Sequence, residues 1–112
     1  MAWLLREGEV LASVELCDSA GARARGLLGR DGVEGAVLLR PARSVHTFGM
    51  RFPIDVAYCS RELVVLDTRS MVPNRLGRPR WRARSVLEAE AGSFAHWGLH
   101  PGQQLEVRGD HP

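Results

Sequence analysis

The sequence predicts a mainly β domain, a β-sandwich or barrel-like fold of antiparallel hairpins with two short helical insertions. Three observations predict it. Apolar runs are short and rich in β-formers, as in Ile54-Asp55-Val56-Ala57-Tyr58-Cys59 and Leu63-Val64-Val65-Leu66. Twelve Gly and six Pro break the 112 residues at short intervals and leave no room for a long amphipathic helix. The turns between about eight short strands favour hairpin connections. The length allows one domain, residues 1–112, and the chain shows neither an internal repeat nor a linker.

Trp3 to Leu5 and Glu9 to Cys17 read as two strands around a Glu7-Gly8 turn. The second alternates, with Val10, Ala12, Val14 and Leu16 on one face and Glu9, Leu11, Ser13 and Glu15 on the other. Asp18 and Ser19 offer N-cap oxygens to a short helix, Ala20 to Leu28, which Gly29 stops. Gly21 and Gly26 each weaken that helix by about 1 kcal/mol relative to Ala, so it depends on packing through Leu27 and Leu28. Gly35 to Arg40 is a strand ended by Pro41, and Val45 to Phe48 is the next. A loop from Gly49 to Pro53 follows, with Phe52 pushed to an extended conformation by the proline after it.

Ile54 to Ser60 and Leu63 to Arg69 carry apolar residues on both faces, the pattern of a central hairpin covered on both sides. Ile54, Val56 and Tyr58 share one face, and Asp55, Ala57 and Cys59 the other. In the second strand Leu63, Val65 and Asp67 oppose Val64, Leu66 and Thr68. Ser70 to Arg84 reads as a loop broken by Pro73, Gly77 and Pro79. A strand from Arg84 to Ala89, one helical turn from Phe94 to Trp97 and a last strand from Leu105 to Val107 complete the domain. The tail, residues 109–112, is expected to fray.

With 45% hydrophobic and 25% charged residues, the composition is that of a globular domain rather than a disordered chain. All 15 basic residues are Arg, yet the net charge of +2 is too small to imply nucleic acid by itself. Arg6, Glu7 and Glu9 interrupt the start before a signal peptide forms, and Cys17 follows Leu16 rather than the small residue of a lipoprotein cleavage site. No run approaches the roughly 18 apolar residues of a membrane span. A cytoplasmic location is therefore expected, with Cys17 and Cys59 as reduced, packed thiols.

The densest group of chemically capable side chains lies between Val45 and Tyr58. His46, Thr47, Met50, Arg51 and Asp55 are the candidate ligand-binding residues. Asp55 admits two readings. It accepts backbone N–H bonds from the Gly49 to Phe52 loop and pins it, or it faces a pocket with His46 and Arg51, where His46 works as acid or base near neutral pH. Cys59 shares the face of Asp55, but a mid-strand thiol reads as inert. His96 and His100 have metal-ligand spacing, yet Gly98 and Pro101 argue against a continuous helix, so no metal is assigned. No cofactor is assigned either, because Gly26-Leu27-Leu28-Gly29 lacks the Lys and the context of a phosphate loop. Between Arg75 and Arg84 the chain carries no acid, and Arg78, Arg80, Trp81 and Arg82 are candidates for contact with an anion or a partner.

Three segments carry a resemblance. They are Ala24-Arg25-Gly26-Leu27-Leu28-Gly29-Arg30, the centre from Phe48 to Val56 with its Pro53-Ile54-Asp55, and Ser85-Val86-Leu87-Glu88-Ala89-Glu90-Ala91-Gly92 followed by Gly98 to Gly102. In order and spacing the chain resembles the prokaryotic domain of unknown function 192 family over about Leu11 to Val107. The resemblance implies a small, mostly β domain, often exported, with no established activity. The chain departs from the family pattern by the missing export segment, by His46-Thr47-Phe48-Gly49-Met50-Arg51 at the Trp-Met-Lys-Asn-Thr-like centre, and by Gly102-Gln103 in place of a Gly-Asp.

The reading that follows is a non-catalytic module binding a small ligand or a protein partner through the His46 to Asp55 segment. The alternatives are a small acid–base enzyme using His46 and Asp55, and a nucleic-acid-associated domain working through Arg75 to Arg84, although nucleic acid is not the partner expected.

Overall fold

The computed structural model describes residues 1–109, with Ala24 and Arg25 described by backbone alone. The elements run β1 (Ala2–Arg6), β2 (Glu9–Cys17), α1 (Ala20–Arg25), β3 (Ala36–Leu39), β4 (Ile54–Cys59), β5 (Val65–Met71), β6 (Ser85–Glu90), α2 (Ser93–Trp97) and β7 (Glu106–Gly109). The seven strands form one sheet in the order β5-β4-β6-β3-β2-β1-β7. Glu7 and Gly8 both take positive φ, 52° and 79°, the backbone of a two-residue hairpin turn between β1 and β2. The sheet is mixed, because β2 and β3 run parallel where antiparallel hairpins were expected. The connection between them is long enough to cross over, and α1 lies within it.

The two ends of the sheet meet. Val64 bridges Gln104, the Val65 N–H donates to the Gln103 carbonyl at 2.8 Å, and the Leu105 N–H donates to the Leu63 carbonyl at 2.9 Å. The barrel-like form of the expected fold is therefore the one adopted. Leu4, Val14, Leu38, Ala57, Val65 and Leu87 belong to a core inside this curl, which Phe94 of α2 also enters. A second core lies on the other face of β3, β4 and β6, where Leu27, Val45, Met50 and Phe52 pack on Val37, Ile54, Val56 and Val86. Both faces of the three central strands are thus covered, and of their residues Glu90 alone is exposed. That double burial explains their near-continuous apolar runs.

Several boundaries differ from expectation for identifiable reasons. Helix α1 ends at Arg25, not Leu28, because Gly26 takes φ 42° and donates its N–H to the Ala22 carbonyl as the cap. Ser19 is the N-cap, its hydroxyl accepting from the Ala22 N–H at 3.1 Å. Val45 to Phe48 forms no strand. It makes one bridge, His46 to Leu76, and otherwise clasps the following loop. Strand β5 continues to Met71, two residues into the expected loop. A register shift between Tyr58 and Cys59 places Val65 opposite Cys59 but Asp67 opposite Tyr58. This bulge at Leu66 moves Asp67 to the face opposite Val65, so the strict alternation read for that strand fails. Strand β2 departs from simple alternation at Leu11, where a register shift against β1 sets Val10 and Ala12 opposite Leu5 and Leu4, and Val10 and Leu16 remain exposed. Gly109 closes β7, and the rest of the expected frayed tail lies outside the described residues. No helix is long and apolar enough to cross a membrane, among the described residues.

Candidate functional site

Strands buried on both faces leave no water for a polar side chain, so each one must be matched by a partner or have another purpose. Thr47, Asp55, Ser85 and Glu88 are the buried polar and charged residues among those described. Thr47 and Asp55 have structural partners, whereas the Ser85 hydroxyl and the Glu88 carboxyl group have no hydrogen-bond partner among the described residues.

Thr47 is fully buried, and its hydroxyl donates to the Val72 carbonyl at 2.7 Å while accepting the Arg75 N–H at 2.8 Å. Its own N–H donates to the Arg75 carbonyl, and its carbonyl accepts from Asn74 at 2.7 Å. It is the clasp that holds residues 45–50 against residues 72–77. Thr47→Val keeps the shape and deletes both hydroxyl bonds, and is expected to cost about 2 kcal/mol in urea unfolding. An unchanged midpoint refutes the clasp.

Asp55 projects from β4 towards the core that contains Ala57, Cys59 and Phe94. Its Oδ2 accepts the Gly92 N–H at 3.0 Å and the Phe94 N–H at 3.1 Å, and its Oδ1 accepts from the Ser70 hydroxyl at 3.0 Å. The carboxylate therefore pins the start of α2, not the Gly49 to Phe52 loop expected from sequence. His46, Arg51 and Asp55 do not assemble. Arg51 is exposed and pairs with exposed Asp31 at 2.8 Å. His46 is exposed, its ring stacked on Phe48 at 5.3 Å, with Nδ1 accepting the Phe48 N–H. Cys59 is sealed in the interior, and burial pushes its thiol up to about 12, far from a nucleophile's range. His96 sits in the last turn of α2 and His100 beyond its Gly98 cap. Among the described residues no three His, Cys, Asp or Glu side chains gather as a metal site.

The residue that sequence reasoning left unused is Glu88. It lies in the middle of β6, paired with Val56 of β4 and Val37 of β3, and only 3% of it is exposed. Alternation along β6 sends it to the same face as Val86, beneath the turn that follows α1. Among the described residues no hydrogen bond or ion pair reaches its carboxyl group. Burial pushes its pKa up to about 7, with Arg30 pulling weakly in the opposite direction. Arg30 itself is engaged by Glu15 at 2.8 Å.

Glu88 lines a cavity of about 80 Å³ together with Arg23, Gly26, Leu28, His46 and Met50. Its Oε1 lies 3.4 Å from the position a Cβ on Gly26 would take, so the helix-stopping glycine also keeps the space beside the carboxyl open. By the volume of a water molecule, about 30 Å³ in the liquid, the cavity admits two or three waters or one small polar head group. The three segments that carry the resemblance converge here: Gly26 and Leu28 from the first, Met50 from the second and Glu88 from the third.

A family model designated DUF192, Uncharacterized ACR, matches residues 3–107. The chain belongs to DUF192. No curated protein matches it. Two crystal structures share its fold. One is a protein of unknown function from Novosphingobium aromaticivorans DSM 12444, 20% identical, with a TM-score of 0.79 over 94% of this chain and 82% of that one. The other is a protein of Sinorhizobium meliloti 1021 designated a candidate transcription regulator, also 20% identical, with a TM-score of 0.78 over 95% of this chain and 91% of that one. At that identity the likeness is one of fold. The DUF192 centre thus divides in two. Asp55 and Thr47 hold the fold, while His46 and Met50 reach the cavity. The signal for Glu88 was present in the sequence as a lone acid within Ser85-Val86-Leu87-Glu88-Ala89, a run otherwise fit for burial on both faces.

Proposed function

We propose that this DUF192 domain is a non-catalytic binding module whose ligand places a hydrogen-bond-donating head group, a hydroxyl or an amine, against Glu88. The observation that carries the reading is the buried carboxyl group without a partner among the described residues, lining a cavity at which the three motifs meet. A donor from a ligand in that cavity gives the carboxylate a hydrogen bond of the charge-assisted kind, worth about 1.5–3 kcal/mol. The exposed, stacked rings of His46 and Phe48 give the remainder of the ligand a flat surface beside the cavity.

Ethanolamine and glycerol, titrated separately into isotopically labelled protein, test this. The expected result is that at least one of them shifts the backbone resonances of Gly26, Leu28, His46 and Met50, and that Glu88→Gln abolishes the amine response and weakens the hydroxyl response. Absence of a response to both, or responses unchanged by Glu88→Gln, refutes the reading.

One observation favours a second reading. A carboxyl group titrating near neutral pH beside a histidine suits acid–base catalysis, with Glu88 taking the part that Asp55 was expected to play. It differs from the first in requiring turnover that is lost in both Glu88→Gln and His46→Ala.

A further inference from the structure

A second concavity lies on the far side of the Thr47 clasp, along β5 and the loop after it. Its volume is about 730 Å³, within the range of roughly 300–1,000 Å³ usual for small-molecule sites. Tyr58 of β4 forms its floor, and Arg69, Arg75 and Arg78 stand around it. Among the described residues no acid pairs with Arg75 or Arg78. Asp67 is the acid in the lining, and it is already engaged. Arg80 donates to its Oδ2 from Nε at 3.1 Å and from Nη2 at 2.8 Å. The hydrogen-bonded Arg80 guanidinium holds the Asp67 carboxyl below its usual range, and the same guanidinium lies 4.5 Å over the Tyr58 ring. The third nitrogen of Arg80 donates to the Arg78 carbonyl. Arg80 is therefore part of the frame, Arg69 also pairs with Asp67 at 3.6 Å, and an excess of positive charge remains on Arg75 and Arg78.

Two further features point to a ligand. Tyr58 is 1% exposed, and among the described residues its hydroxyl has no hydrogen-bond partner. Gly77 keeps room above that hydroxyl, since a Cβ there would lie 2.8 Å from the Tyr58 oxygen and 2.7 Å from the Val45 carbonyl. Beside this polar floor stand Val72 and Leu76, large apolar side chains left 51% and 74% exposed. Guanidinium groups without an acidic partner, a phenol hydroxyl open to the trough and an apolar rim suit a ligand that is anionic at one end and apolar at the other.

We propose that this trough binds a small free amphiphilic anion, a carboxylate or phosphate head held by Arg75, Arg78 and the Tyr58 hydroxyl with its apolar part on Val72 and Leu76. The site is distinct from the Glu88 cavity and stands or falls without it.

The test is calorimetric titration of the purified protein with octanoate and with octyl phosphate, with 1-octanol as the neutral comparison. At least one anion is expected to bind and 1-octanol not to bind. Raising salt from about 0.05 M to about 0.5 M weakens the anion severalfold through screening. Arg75→Gln combined with Arg78→Gln, both exposed, is expected to reduce affinity at least tenfold, and Tyr58→Phe, which removes one oxygen and leaves the ring packed, about fivefold. Circular dichroism confirms that each variant is folded. Equal binding of 1-octanol, or octanoate and octyl phosphate bound as tightly by the double variant as by the native chain, overturns the proposal. So does binding to phosphatidylglycerol vesicles or to a single-stranded oligonucleotide when neither free anion binds.

Discussion

Asp55→Ala is expected to lower the unfolding free energy by about 4 kcal/mol, measured by urea denaturation at neutral pH. The substitution removes three acceptor contacts at once. The Gly92 and Phe94 N–H groups lose Oδ2, and the Ser70 hydroxyl loses Oδ1, in a region where Asp55 itself is 5% exposed. Helix α2 is only five residues long, and its Gly92 N-cap makes no side-chain bond of its own, so Asp55 supplies the cap from across the sheet. Asp55→Asn retains one acceptor oxygen and is expected to lose about half as much. Hydrogen exchange at Gly92 and Phe94 should accelerate before exchange in β4 does. A ligand-binding Asp55 predicts the reverse pattern, normal stability with lost binding. A fall below about 1 kcal/mol, without faster exchange at those two amides, removes the capping role.

The contrast between Asp55 and Glu88 shows what was legible in the sequence. Burial of β4 could be read from its apolar residues on both faces, and so could the need of Asp55 for partners. Its partners could not, because Gly92 and Phe94 lie 37 and 39 residues away and are brought to it by the pairing of β4 with β6. Local pattern also assigned the β1–β2 hairpin and the Ser19 cap, both set by neighbouring residues. The parallel β2–β3 pair and the closing Val64–Gln104 bridge depend on contacts distant in sequence, which alternation does not encode. The bulge at Leu66 had no residue signature, yet it decides that Asp67 meets Arg80 beside Tyr58. Among the Arg-rich candidates, Arg80 became a fixed part of the frame, Arg78 lines the trough, and Trp81 stands exposed outside that lining. Proximity in sequence suggests a pocket shared by His46, Arg51 and Asp55. Arg51 pairs instead with Asp31, and an exposed ion pair of that kind contributes about 0–1 kcal/mol.

Glu88→Gln is expected to stabilise the protein at pH 8 by about 3 kcal/mol and to leave stability unchanged near pH 4. The sign follows from proton binding. Native Glu88 titrates near 7 because burial disfavours its charged form, whereas the ordinary value is 4.5. Between those values the native chain holds a proton that the unfolded chain releases, so stability falls as pH rises through the window and the full penalty is present above about 7. Arg30 partly offsets the burial, and Arg23 and His46 line the same cavity, so raising salt should alter the size of the difference but not its sign. Glutamine retains the shape of the protonated acid and has no charge to desolvate, so its melting temperature at pH 8 should exceed that of the native chain by on the order of 10 °C. Melting curves of the two proteins across pH 4 to pH 9 measure the difference directly, with every other titrating group common to both. Parallel profiles would falsify the shifted titration. A residue kept only for packing has no reason to remain ionisable where its charge destabilises the fold. A variant that is more stable at pH 8 and no longer responds to ethanolamine would tie that penalty to ligand recognition, because the carboxylate that weakens the empty domain is the group that the ligand neutralises.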